Sequence, residues 1–252
     1  MKKLYTLLAL LLLCVSPALA QDNVKEVDVH KKSSLQPYLT ADLTSAYLWR
    51  GQRLAGVSIQ PVMGIKWKGL NLYAWGNTQL APPANQNPVK YEIDLFVRYQ
   101  VTPWLNIALK DVYVTTRGNG FLTWGHIGDA SHGTDVVATF SSRYFTAEWS
   151  TTLFGHDGLN KDGKRSYSSY LLASVPFHIS HVQFAALVGV VPYYTSRYDD
   201  DSSGFHVNML ALKASYDIPV SQRYRLPVYS QIMVNPSSRQ AYFQVGCKFK
   251  LF

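Results

Sequence analysis

The chain has 252 residues, of which 24 are Lys or Arg and 16 are Asp or Glu, and it contains two cysteines. Charged residues make up only 16% of it, whereas a typical soluble domain is roughly 25% charged. Its 47% hydrophobic content and its few cysteines exclude a disordered chain and a disulfide scaffold. Beyond the N-terminus, the longest apolar run, residues 184–191, is far shorter than the ~20 residues of a membrane-spanning helix. A helical membrane protein is therefore not predicted.

The N-terminus has the three parts of a secretory signal peptide. Residues 2–3 are basic, residues 7–15 are apolar, and residues 18–20 read Ala-Leu-Ala, which is a small-x-small cleavage site. We expect cleavage after Ala20 and export of the mature chain. A lipoprotein anchored through Cys14 is the alternative, which the bulky residue before that cysteine disfavours because such sites take a small residue there.

After the signal peptide over residues 1–20, two regions are predicted. Residues 21–36 are polar and charged without a regular period, which is typical of a flexible N-terminal tail. Residues 37–252 have an even composition with no linker-like stretch, so we expect a single domain there. Cleavage of the signal peptide would leave Cys247 as the one cysteine, and an intrachain disulfide would then be impossible.

Alternation of apolar and polar residues is the main structural signal in this domain. Residues 90–101 show it most clearly, and residues 57–67 and 241–251 repeat it. In the first of these segments, one face carries Tyr91, Ile93, Leu95, Val97, Tyr99 and Val101. Weaker alternation marks residues 38–49, 70–77, 105–114, 134–142, 145–154, 167–175, 182–194, 205–216 and 226–234. The pattern predicts about 12 strands, within a range of about 10–14, each about ten residues long.

The connections between these strands alternate in length. The short ones lie at residues 68–69, 102–104, 143–144, 176–181 and 217–225. The long ones, rich in Gly, Pro, Asn and Asp, lie at residues 50–56, 78–90, 115–133, 155–166, 195–204 and 235–240. Short turns at one end and long loops at the other, with an even number of strands, are typical of an outer-membrane barrel. A β-sheet in lipid must close into a barrel, because every backbone N–H and C=O group needs a hydrogen-bond partner.

Alternation alone does not decide which face points outward, and a soluble sandwich would bury the same apolar residues. About twelve strands enclose more space than side chains fill, which favours a polar interior and an apolar exterior. We therefore predict an all-β fold, a closed antiparallel transmembrane β-barrel, with residues 91, 93, 95, 97 and 99 facing lipid. Aromatic residues near the strand ends are expected to form interfacial girdles. They are Tyr47, Trp49, Trp67, Trp104, Trp149 and Tyr167.

Four segments resemble the opening strands of the TorF-type outer-membrane porins. They are Ser45–Gly51, Gln60-Pro61, Gly69–Gly76 and Tyr91–Leu95. The first holds the family motif Tyr47, Trp49, Arg50 and Gly51, an aromatic-x-aromatic-Arg-Gly strand end. The resemblance covers roughly residues 40–115 and implies an outer-membrane β-barrel with a porin-like role. The chain end departs from the common barrel signature, because the terminal aromatic Phe252 is one residue out of step with the apolar face through Leu251. This departure weakens the prediction that the barrel-assembly machinery recognises the chain end.

Eight charged residues are expected on the lumen face as a pore lining that sorts solutes by charge. They are Asp42, Glu92, Asp94, Arg98, Lys110, Asp135, Glu148 and Lys213. The alternative is a salt-bridged network that fills the lumen and only stabilises the barrel. Two roles are possible for Arg50. It could bind a lipopolysaccharide phosphate, or it could form a buried ion pair that locks the first hairpin, and the ion pair is favoured.

No metal site or cofactor is predicted. Residues 199–204 resemble half of a calcium loop, but Leu210 stands where an EF-hand needs Glu, so an acidic surface loop is expected. The loop residues His126, His132 and His156, with Asp129 and Asp157, lack the spacing of a zinc site.

The function predicted is a porin-like passive channel for small polar solutes in the outer membrane of a Gram-negative bacterium. The expected partners are outer-membrane lipid and lipopolysaccharide, the barrel-assembly machinery during biogenesis, and the solutes themselves, with no nucleic acid. A structural or plugged barrel that presents its loops is the alternative. A lipid hydrolase is a further one, but the chain has no G-x-S-x-G motif, and Ser180 between His178 and His181 lies in a short turn.

Overall fold

The structure is a computed structural model that describes residues 34–80, 91–114, 120–121, 130–198 and 204–251. The signal peptide, most of the tail, His126, Asp129 and most of the acidic segment 199–204 lie outside the described residues. Within the described residues, no helix is long and apolar enough to cross a membrane.

Twelve strands form one closed antiparallel barrel, which confirms the predicted fold class and strand number. They are β1 (Gln36–Thr44), β4 (Ser58–Trp67), β5 (Leu70–Gln79), β6 (Tyr91–Thr102), β7 (Leu105–Val114), β8 (His132–Ser141), β9 (Thr146–Gly155), β10 (Ser169–Ile179), β11 (Val182–Val191), β12 (His206–Pro219), β13 (Arg225–Asn235) and β14 (Gln240–Lys250). The barrel closes through β1, which pairs with β4 on one side and with β14 on the other. Closure leaves no exposed sheet edge.

The apolar faces of the strands point outward. On β6, Tyr91, Ile93, Leu95, Val97 and Tyr99 are 40–52% exposed, whereas Asp94 on the opposite face is 2% exposed. The neighbouring strands β5 and β7 also point their apolar faces outward, because the register pairs outward residues with outward residues. An apolar exterior around a polar interior defines a transmembrane β-barrel, as predicted.

The first predicted strand was wrong in its second half. Residues 38–49 do not form one strand, because β1 ends at Thr44 and the chain turns into the barrel. Residues 45–57, which we call the lumen hairpin, hold the two short strands β2 (Tyr47–Trp49) and β3 (Gln52–Ala55), which pair with each other. The hairpin therefore lies inside the barrel instead of forming an outer loop.

Two of the six aromatic residues expected in the girdles are consequently misplaced. Tyr47 is only 7% exposed, and Trp49 packs against the buried Tyr170, Val191 and Tyr198 within the lumen. The others meet the expectation of exposure, since Trp67, Trp104, Trp149 and Tyr167 are 42–54% exposed. The error arose because alternation identifies a pair of faces but not the point where a chain leaves the sheet.

Inward-facing tyrosines lie beside glycines of the neighbouring strand. A Cβ added at Gly64 would come within 2.5 Å of the Cβ of Tyr73, and one added at Gly246 would come equally close to the ring of Tyr229. Gly246 thus gives the Tyr229 ring room beside the wall. Both pairs lie in the half of the barrel nearer the short turns, because Gly64 and Gly246 each lie within five residues of a strand's short-turn end.

Candidate functional site

All eight residues predicted to line the pore belong to the inward-facing set of their strands. The register links them across neighbouring strands, as in the pairs Asp42↔Lys248 and Lys110↔Asp135. The structure separates them into two groups. Glu92, Asp94, Lys110 and Asp135 lie together near the long loops. Arg98, Glu148 and Lys213 lie nearer the short turns, and Asp42 is grouped with them through its register partner Lys248, two residues from the short-turn end of β14.

The group near the long loops is a network of paired charges. The Nζ atom of Lys110 lies 2.7 Å from Oδ2 of Asp94, whose side chain is only 2% exposed. On the next strand, Asp135 accepts a hydrogen bond of 2.7 Å from Oγ1 of Thr152 and lies 3.5 Å from Nη1 of Arg197. Each buried carboxylate thus has a cation within reach, which offsets the cost of removing both from water.

The lumen hairpin crosses this half of the barrel from one wall to the other. On one side, the hydroxyl of Tyr47 donates a hydrogen bond of 3.2 Å to Oε1 of Glu92 on β6. On the other side, the amides of Asn208 and Asn235 donate hydrogen bonds of 2.9 and 3.1 Å to the carbonyls of Arg50 and Gly51. These bonds fix the tip of the hairpin against β12 and β13.

The Arg50 guanidinium holds the tip on a third side. Its Nη1 and Nη2 atoms donate hydrogen bonds of 2.6 Å to the hydroxyls of Tyr198 and Ser150, and Glu148 lies 4.0 Å away. The rings of Trp49 and Tyr170 lie 4.9 and 4.7 Å from the guanidinium carbon. Arg50 therefore faces the lumen and not the lipid, and its contacts fit a lock on the first hairpin.

Burial and neighbouring charges shift the pKa of two groups that lie outside the barrel strands. Burial raises the pKa of Tyr47 well above its usual value, and the carboxylate of Glu92 raises it further, so the phenol stays a hydrogen-bond donor. Burial disfavours the charge of Arg197, but the attraction of Asp135 outweighs it and the net pKa is raised. Both groups thus keep the protonation state that their contacts require.

A cavity of about 240 Å³ remains beside the lumen hairpin. It lies between the hairpin and the wall formed by β5, β6 and β7. Its lining combines aromatic, amide and charged side chains, among them Trp49, Gln52, Asn77, Glu92, Lys110 and Arg197. The hairpin consequently narrows the lumen without filling it.

The group near the short turns is arranged differently. Lys248 lies 3.5 Å from Asp42, and both side chains are partly exposed. Arg98 and Lys213 instead lie over the rings of Tyr73 and Tyr229, with their charged atoms 5.7 and 4.6 Å from the ring centroids. This half of the lumen is lined by cations on flat aromatic rings.

The outer wall also carries a polar contact. Among the described strand residues, Asp111 is the one acidic side chain on the outward face. Its Oδ2 lies 2.6 Å from Nδ1 of His132, and Oγ1 of Thr134 donates a hydrogen bond of 3.3 Å to its Oδ1. The other ring nitrogen of His132 contacts the carbonyl of Phe121. Both nitrogens are thus engaged in holding the segment at residues 120–121 to the wall.

His132 was predicted to lie in a loop but is the first residue of β8, and two further predicted loop residues also have structural contacts. Asp157 is buried and accepts hydrogen bonds from the backbone N–H groups of Gly158 and Ser168. His156 contributes to the cavity beside the hairpin. Among the described residues, no three His, Cys, Asp or Glu side chains are grouped so as to hold a metal ion.

Several residues of the site were missed at the level of sequence. Arg197, Tyr198, Asn208 and Asn235 contact the lumen hairpin, yet none belongs to a recognisable motif. The one available signal was that Asn208 and Asn235 are amides at the long-loop ends of their strands, where a polar inward position is ordinary.

No protein-family model matches the chain, and no curated protein matches its sequence. Among solved structures, the chain is similar to a mutant of the Rhodopseudomonas blastica porin, at 12% identity and a TM-score of 0.39 over 77% of this chain and 55% of that one. It is similar to outer membrane phospholipase A from Escherichia coli at 14% identity and a TM-score of 0.39, over 86% and 95% of the two chains. It is also similar to the outer membrane phospholipase dimer of Salmonella typhi with bound calcium, at 15% identity and a TM-score of 0.39, over 92% of this chain and 95% of that one.

The chain spans just over half the length of that porin mutant. Similarity this distant carries no inference about function. The fold and the site by themselves define a transmembrane β-barrel whose charged lumen is crossed by a hairpin.

Proposed function

We propose that the protein is a porin-like passive channel for small polar solutes in a Gram-negative outer membrane. The observation that supports this most is the cavity of about 240 Å³ between the lumen hairpin and the β5–β7 wall, whose lining includes the charged side chains of Glu92, Lys110 and Arg197. A solute that enters from the long-loop side would pass Glu92 and Lys110 there. It would then reach the half of the lumen in which Arg98 and Lys213 lie over tyrosine rings. The narrow cavity would limit passage to small molecules.

The same geometry supports passive and non-catalytic transport. Rings of charged side chains select solutes without any chemical step. The outward pair of Asp111 and His132 could suggest lipid chemistry, but both ring nitrogens of His132 are engaged, one with Asp111 and the other with the carbonyl of Phe121. A general base needs a free nitrogen that faces its nucleophile. These contacts favour a structural role for that pair.

A plugged barrel is the second candidate, and the contacts of the lumen hairpin favour it. Asn208 and Asn235 donate hydrogen bonds to the tip, Ser150 accepts one from Arg50, and Glu92 accepts one from Tyr47 on the opposite side. A hairpin with this many partners would stay in place. The two candidates therefore differ in whether the cavity beside the hairpin connects the two ends of the lumen.

The outer-membrane location, the signal peptide and the TorF-type family belong to the same proposal. An apolar exterior that surrounds a polar lumen suits the outer membrane, its lipid and its lipopolysaccharide as surroundings. N-terminal sequencing of protein from membrane fractions would test export. A mature chain that begins at Gln21 is expected, and a chain that retains Lys2 and Lys3 would contradict it.

Planar-bilayer recording of the refolded protein separates the candidates. We expect the intact barrel to conduct, and a variant in which residues 46–56 are replaced by a short Gly-Ser linker to conduct more. The same replacement of residues 160–164 is the control, because that loop tip makes local hydrogen bonds. A silent intact barrel with a conducting deletion variant would favour the plug. Silence in both would favour a structural barrel.

A further inference from the structure

The half of the lumen near the short turns carries an excess of positive charge. Among the described strand residues, six basic and three acidic side chains belong to the inward-facing set there. They are Lys66, Arg98, Lys213, Arg225, Lys248 and Lys250, against Asp42, Glu148 and Asp217. Glu148 is moreover directed towards Arg50 of the lumen hairpin, at 4.0 Å. Few carboxylates are left to neutralise the six cations.

Three of these cations lie over tyrosine rings in place of carboxylates. The Nζ atom of Lys66 is 5.0 Å from the ring centroid of Tyr38, and Arg98 and Lys213 have the equivalent positions over Tyr73 and Tyr229. Within the described part of the chain, Lys66, Arg98 and Lys213 form no ion pair. A ring attracts a cation but does not cancel its charge, so the positive potential persists in the lumen.

Arg98 also has an unused donor. Its Nε atom is buried and has no hydrogen-bond partner among the described residues. A buried donor without a partner costs free energy comparable to a lost hydrogen bond. An anion in the lumen would satisfy it, because a guanidinium binds carboxylates and phosphates through two N–H groups.

We propose that this half of the lumen is an anion-selective vestibule for small solutes that carry a carboxylate or a phosphate. The inference rests on the proposed channel and names its solute class. The positive lining raises the local concentration of anions, and the low dielectric of the wall strengthens its field. The ring of Tyr229 lies against Gly246, where an added Cβ would come within 2.5 Å of it, so this ring is held beside the wall. Arg98 on β6 and Lys213 on β12 stand on opposite walls, six strands apart around the ring.

The reversal potential in a KCl gradient tests the selectivity. We expect the wild-type barrel to prefer chloride, and the variant Arg98→Gln/Lys213→Gln to lose roughly threefold or more of that preference. The variant Lys161→Gln/Lys164→Gln is the matched control, because it removes two positive charges from an exposed outer loop. It should keep the wild-type reversal potential. A wild-type preference for potassium, or equal potentials in the wild type and the Arg98/Lys213 variant, would overturn the proposal.

A second measurement does not depend on conduction. Inorganic phosphate added to the folded, detergent-solubilised barrel should show broadened ³¹P resonances, and the broadening should be lost in the Arg98/Lys213 variant and kept in the loop control. If the barrel is silent in bilayers but broadens phosphate in this way, the channel is wrong and the anion vestibule stands. If it conducts without selectivity and without broadening, the channel stands and the vestibule is wrong. Far-UV circular dichroism checks that each variant is folded.

Discussion

In the long-loop half of the lumen, Lys110 and Arg197 lie beside the buried carboxylates of Asp94 and Asp135, whereas in the short-turn half Arg98 and Lys213 lie over tyrosine rings. The first arrangement neutralises charge and packs a hairpin across the barrel. The second leaves Arg98 and Lys213 without a carboxylate partner among the described residues. One continuous sheet thus supports a tight, balanced region and a cationic region, because its inward side chains change while its backbone pairing does not.

The largest difference between the halves is expected in the cost of removing a carboxylate. Asp94→Asn would leave Lys110, whose side chain is only 14% exposed, without its ion-pair partner, and we expect it to lower the free energy of unfolding by about 3 kcal/mol. Asp42→Asn is the matched change in the other half. There the side chains of Asp42 and Lys248 are 22% and 41% exposed, so a loss of about 0–1 kcal/mol is expected. Urea titration in lipid vesicles measures both, and equal losses would remove the distinction.

The second largest effect on stability is expected at the tip of the lumen hairpin. Gly51 has a φ of 82°, and an added Cβ would lie 2.2 Å from the carbonyl oxygen of Asn208. Gly51→Ala should therefore cost about 2–3 kcal/mol through backbone strain and overpacking. Gly163 has a similar φ of 74° with nothing within 4 Å of an added Cβ. Gly163→Ala should cost only the strain of about 1 kcal/mol, and a Gly51 variant no worse than this control would mean that the tip is loosely held.

A smaller effect is expected on ion selectivity in the long-loop half. Glu92 lines the cavity beside the hairpin, so Glu92→Gln should move the reversal potential towards anions, by roughly twofold in permeability ratio. Asp162→Asn removes the same charge from an exposed loop tip and should leave the potential unchanged. An unchanged potential in the Glu92 variant of a conducting barrel would place the solute path elsewhere.

The smallest effect should come from the single bond that joins the hairpin to β6. Tyr47→Phe removes the hydroxyl that donates to Glu92, and we expect a loss of about 0.5–1.5 kcal/mol in unfolding free energy. Tyr144→Phe is the control, because that hydroxyl is in an exposed turn and accepts a hydrogen bond from Arg143. The same urea titration applies, and a loss above about 3 kcal/mol would mean that Tyr47 does more than form one hydrogen bond.

The candidate site was only partly predictable. The inward orientation of Glu92, Asp94 and Arg98 follows from their alternation with an apolar face, and the register agrees with it. Which carboxylate pairs with which cation did not follow, because Lys110 and Arg197 come from other strands and loops. The separation of the lumen into two halves could not be inferred either, since it depends on where the hairpin lies.

Local sequence was sufficient for the barrel itself. Alternation with period two marks strands wherever one face meets lipid and the other a polar lumen, and the lengths of the connections follow from the two ends of the barrel. Local sequence did not predict the lumen hairpin. The tip carbonyls of Arg50 and Gly51 are held by Asn208 and Asn235, which lie 158 and 184 residues further along the chain. Only closure of the barrel brings these groups together, so only the tertiary structure decided that the family-like motif at residues 47–51 crosses the lumen and does not face the lipid.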